Sequence, residues 1–157
     1  MSKTTGLLAA GLLLLLGSAP AGAAADHKCE RRAPHIHAQG VHAHVEFVAD
    51  QLNGTHHGGH TFSSARVSDL RILVHWRNLL RNHWQRLDLI TPDGALYQSF
   101  TRLLTARDVD APVETVLHVN GTWITQYGLY GTWCVEVFVD DEEQPVTHSR
   151  FVIKHSH

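Results

Sequence analysis

A chain of 157 residues whose first 25 read as a removable leader leaves the length of one domain. Hydrophobic residues make up 43% and charged residues 18%, enough to bury a core and too little charge for a disordered tail. Lys and Arg number 13 against 15 Asp and Glu, a formal net charge of −2, and no basic run tracks a phosphate backbone, which excludes nucleic acid as the partner class.

Residues 1–25 have the order of a secretory signal: Lys3, an apolar core over residues 7–16, then Gly17, Ser18, Ala19, Pro20 and small residues for a peptidase. The leucine-rich run is too short for a span of about 20 apolar residues, so no transmembrane segment is expected after cleavage. Cys29 follows Asp26, His27 and Lys28 rather than a small-residue box, which argues against a lipid anchor. Export to a secreted or periplasmic location places Cys29 and Cys134, the only cysteines, where they oxidise to one disulfide. That bridge closes a loop of about 105 residues, and no Cys-x-x-Cys motif gives it a redox role.

Residues 26–40 form an N-terminal segment carrying His27, His35 and His37. Cleavage after Ala24 would put His27 third in the mature chain. The terminal amine, two backbone amides and the imidazole could then surround Cu²⁺ or Ni²⁺ in a square plane. Cleavage after Ala25 removes that chelate.

From residue 41 on, the recurrent pattern is period two. Val41, Ala43, Val45 and Phe47 fall on one face of a strand, with His42, His44 and Glu46 on the other. The stretch Asn53-Gly54-Thr55-His56-His57-Gly58-Gly59-His60 reads as a flexible, His-dense loop. Leu70, Ile72, Val74 and Trp76 alternate with Arg71, Leu73, His75 and Arg77, a second strand; a helix over residues 68–81 is the competitor, since Leu70, Val74, Arg77 and Leu80 also have helical spacing.

Residues 86–90 lead into Thr91-Pro92-Asp93-Gly94, where proline fixes φ, aspartate bonds its own backbone and glycine tolerates positive φ. A return strand over 95–100, a loop over 105–112 and a strand over 113–119 ending at Asn120-Gly121 follow. Residues 132–140 place Trp133, Val135, Val137 and Val139 on one face, and an acidic turn leads to a last strand over 146–153. About seven strands, without a repeat or a phosphate loop, predict an all-β antiparallel sandwich over residues 41–157.

The segment Gly128-Leu129-Tyr130-Gly131-Thr132-Trp133-Cys134-Val135-Glu136-Val137-Phe138-Val139, with Ser149-Arg150-Phe151-Val152-Ile153 after it, resembles the last hairpin of bacterial secreted immunoglobulin-like domains. The resemblance implies an immunoglobulin-like sandwich, a fold that hosts adhesion, carbohydrate or protein binding and scaffolding. The antibody arrangement of two cysteines with a tryptophan between them is missing, because Cys29 precedes the first sandwich strand.

Histidine is the compositional outlier, with 14 residues, all after residue 25. Residues two apart on a strand project to the same side, so His42 and His44 can reach one cation with Glu46 as third ligand. His35, His37, His56, His57, His60 and His27 are further donors, and imidazole suits zinc, copper or nickel. His75, His83, His118 and His148 stand alone in sequence and read as surface or partly buried side chains. Protonating the histidines in mild acid would also turn a slightly acidic chain basic.

Catalysis lacks a signature: no Gly-x-Ser-x-Gly elbow is present, and the cysteines are expected to be paired. Trp76 and Trp133 fall on core faces. Trp84, Trp123, Tyr127 and Tyr130 sit in loop-like contexts and are the candidates for partner binding. The reading that results is an exported, non-enzymatic binding or scaffold module for a protein or polysaccharide, with no cofactor certain and zinc or copper as the candidates. The alternative is a periplasmic zinc-, copper- or nickel-binding protein that uses its N-terminal His-rich segment.

Overall fold

The structure, a computed structural model, describes residues 40–155. The leader, His27, Cys29, His35 and His37 lie outside the described residues. The element order is β1 (His42–Gln51), β2 (His56–Gly58), β3 (Thr61–Ser63), β4 (Val67–Arg77), β5 (His83–Ile90), β6 (Leu96–Leu104), β7 (Val113–His118), α1 (Trp123–Gln126), β8 (Gly131–Val139) and β9 (Thr147–Lys154). One sheet runs β2-β1-β4-β7 and the other β3-β9-β8-β5-β6, antiparallel except for β3 beside β9. Of the nine strands, seven are long, as the period-two count predicted, and β2 and β3 have three residues each.

The alternation decides each strand. In β4 the residues Leu70, Ile72, Val74 and Trp76 are at most 2% exposed while Arg71, Leu73 and His75 face outward, so the helical alternative over 68–81 fails. A helix would have buried Leu80, which is 85% exposed. The His-dense stretch also differs from expectation. His56–Gly58 pairs with Val48, Ala49 and Asp50 of β1, so the backbone gains ladder hydrogen bonds there instead of forming a free loop. The Pro92-Asp93-Gly94 turn forms as expected, with the Gly94 N–H donating to the Thr91 carbonyl at 2.8 Å and Gly94 at φ +84°.

The inner faces interdigitate through aromatic rings. Phe47 on β1 meets Phe151 on β9 at 5.1 Å between centroids, and Phe151 stacks on Trp133 at 6.0 Å. The buried Trp133 indole would cost stability if unpaired, and it donates to the Leu129 carbonyl at 3.0 Å. Trp76 likewise donates to the buried Gln85 side chain at 2.9 Å, a polar bond joining the two sheets inside the core. With the inner faces so filled, the outward residues of β1 and β4 are left as a rigidly backed display surface.

Candidate functional site

On the outer face of the four-stranded sheet, antiparallel register sets β1 against β4 in rows. His42 lies opposite Arg77, His44 opposite His75, Glu46 opposite Leu73, Val48 opposite Arg71 and Asp50 opposite Asp69. Directly opposed side chains lie close enough to interact, and diagonal neighbours are within reach of long ones. The His44 and His75 rings are 6.3 Å apart between centroids, tilted by 35°. His75 donates through Nε2 to Glu46 Oε2 at 3.2 Å. His42, Ala43, His44, Glu46, His75 and Arg77 line a groove of about 430 Å³.

The structure thus brings together the three residues chosen from the β1 pattern and adds two that sequence reasoning left apart, His75 and Arg77. The parity of β4 marks both as outward. Only the pairing register places His75 beside His44, and the 52–66 connection, with β2 and β3 inside it, hides that register from a sequence pattern.

The expected helpers lie elsewhere. His56 pairs with β1 at Asp50, at the far end from the groove, and its Nδ1 donates to Asp50 Oδ1 at 2.7 Å. His57 packs edge-on against Phe62 at 6.5 Å. It lines a separate pocket of about 300 Å³ with Gln51, Thr61, Ser63 and Arg66. His60 donates to the Arg150 carbonyl at 2.9 Å and sets its ring 5.4 Å from Phe47. The His56 to His60 stretch therefore does not join His42 and His44. Among the described residues, no three His, Cys, Asp or Glu side chains are already gathered around a point that would hold a metal.

Two of the histidines that stand alone in sequence have carboxylate partners in space. His118 on β7 donates to Asp69. His83, read as surface or partly buried, is 1% exposed, and its Nδ1 bonds Asp140 Oδ2 at 2.9 Å. Burial pushes the Asp140 carboxyl up, but the Trp84 N–H, His83 and nearby Arg81 outweigh it and hold Asp140 below its ordinary value.

The aromatic candidates do not form one platform. Trp84 is 56% exposed opposite Leu103 on the outer face of the five-stranded sheet. Trp123 and Tyr127, 65% and 68% exposed, meet edge-on at 5.5 Å beside α1, which Thr122 caps by accepting from the Ile124 N–H. Tyr130 is half-buried against the core, with its ring 4.8 Å from His155. Trp84 is the second residue of β5 and its carbonyl accepts from the Asp140 N–H just past the end of β8, whereas Trp123 and Tyr127 precede the start of β8, so they sit at opposite ends of the sheet.

No described cysteine is free; Cys134 lies on β8 at 7% exposure. Among the described residues no helix is long and apolar enough to cross a membrane.

The two packed sheets make the described residues a mainly antiparallel β-sandwich. Among solved structures it is similar to an immunoglobulin-like protein from Pseudomonas aeruginosa at 11% identity and a TM-score of 0.42, covering 75% of this chain and 100% of that one. No protein-family model matches the chain, and neither does any curated protein.

Proposed function

We propose that this protein is an exported, non-enzymatic binding module whose binding face is the groove between β1 and β4. The observation that carries the reading is the composition of that groove: three imidazoles and the Arg77 guanidinium against one carboxylate, Glu46, on a sheet held rigid by the core behind it. The Arg77 guanidinium and the imidazole N–H donors outnumber that carboxylate, which suits a protein or polysaccharide bearing carboxylates. A binding role is supported by the 40% and 51% exposure of the His75 and Glu46 side chains to water, an open face rather than a water-excluding one. Export rests on the order of residues 1–25, and a Cys29–Cys134 disulfide on the count of two cysteines, with Cys134 not free. Thiol labelling of unreduced protein should find no reactive cysteine; two per chain, or a disulfide-linked dimer, would contradict that pairing.

The binding reading is tested by presenting untagged protein to an array of acidic and neutral oligosaccharides and peptides at mildly acidic pH. Acidic members should be retained, and a His75→Ala/Arg77→Ala variant should lose them. Retention by that variant, with loss in a Trp123→Ala/Tyr127→Ala variant, would move the binding face to α1.

A further inference from the structure

The geometry points to a transition-metal site in the same groove, with His75 and Glu46 as its two preset ligands and His44 as the third. This inference rests on the groove being a binding face and names an ion of the zinc or copper class as its ligand. Its basis is the separation of His75 Nε2 and Glu46 Oε2, which is 3.2 Å. A tetrahedral ion with metal–nitrogen and metal–oxygen distances of about 2.0–2.1 Å holds two such donors about 3.3 Å apart. Replacing the shared proton by a metal therefore leaves the separation of the two donor atoms nearly unchanged.

The third ligand needs a small one. Two imidazoles on one tetrahedral ion have centroids about 5 Å apart, against 6.3 Å between His44 and His75. His44 is exposed on β1, directly opposite His75, and a turn about its side-chain torsions closes the gap. His42 is the weaker choice because it lies opposite Arg77, whose charge repels a cation at that end. Glu46 lies opposite the uncharged Leu73 and, among the described residues, supplies the only carboxylate lining the groove.

Two imidazoles and one carboxylate select borderline ions over magnesium or calcium, which prefer oxygen donors. Three protein ligands leave a coordination position open to water or to a carboxylate of the bound partner.

Zinc chloride titrated into untagged full-length protein tests the site by calorimetry and by histidine-ring NMR. Other histidines of the chain also take up zinc, so the readout is the difference between variants. His75→Ala should lose one equivalent and erase the zinc shift of the His44 ring. Glu46→Gln keeps a hydrogen-bond acceptor but should weaken that equivalent about tenfold or more. Arg77→Ala, which removes the repelling charge, should tighten it a few-fold. A His75→Ala isotherm equal to wild type, or zinc shifts confined to His57 and His60, would overturn the metal site. Loss of acidic-partner retention is a separate measurement made without metal, so either reading can fail while the other stands.

Discussion

The same two strands, on the same outward face, carry two different kinds of charge cluster. Toward the β4 start, Asp50 takes Arg71 at 3.1 Å and His56 at 2.7 Å, Arg71 also lies 3.8 Å from Glu114, and Asp69 takes His118. Two imidazoles and one guanidinium there face three carboxylates, so each cation has an anion within reach. Toward the β4 end, three imidazoles and Arg77 share one carboxylate among the described residues, Glu46. One end is balanced internally and serves the fold. The other keeps donor capacity that the fold does not use, and unused, rigidly mounted polar groups are what a ligand needs.

The largest expected effect comes from a histidine–carboxylate pair whose imidazole, His83, is fully buried. Asp140→Ala strands the Trp84 N–H and His83 Nδ1 and should cost about 1–3 kcal/mol in urea unfolding. Because the Asp140 carboxyl is held below its ordinary value of 3.8, its contribution is complete above that value and is lost as pH falls through the lower folded value. The variant should therefore have a flatter acid-unfolding profile. An unchanged profile would mean that the pair does not support the fold.

Next in size, Arg71→Ala unties Asp50 and Glu114 and should destabilise by about 1 kcal/mol, near the upper end for exposed ion pairs. His44→Ala removes an exposed side chain and should stay within about 0.5 kcal/mol. Equal costs for the two substitutions would erase the distinction between the two ends.

The smallest stability effect belongs to salt. Raising ionic strength should weaken the contribution of the Asp50–Arg71 end and leave the unfolding midpoint of an Arg71→Ala variant nearly unmoved relative to wild type. A midpoint that falls equally in both proteins would place the salt-sensitive charges elsewhere.

Much of this was legible in the chain itself. Alternation in Val41 to Phe47, in Leu70 to Trp76 and around Trp133 gave the strands because each strand has one buried face, and period two follows from the pleat. Pro92-Asp93-Gly94 gave its turn because the backbone there requires those residue types. Half of the site was visible for the same reason, as His42, His44 and Glu46 share one face of one strand. His75 was not, because its value depends on register across a connection whose length sets no turn geometry. The pairing of His56–Gly58 with β1 was missed because the edge of β1 offers backbone hydrogen bonds that glycine- and histidine-rich composition does not reveal. His83 was misplaced because its partner, Asp140, is distant in sequence and close only once β5 pairs with β8.

Binding at the unbalanced end of the β1–β4 face is tested by mapping amide chemical shifts. Labelled protein is titrated with whichever acidic oligosaccharide or peptide the array retains. The shifts should gather on His42, His44, Glu46, His75 and Arg77 and leave Asp50, Arg71 and His118 in place. Shifts gathered on Trp84 and Leu103, or on Trp123 and Tyr127, would contradict it.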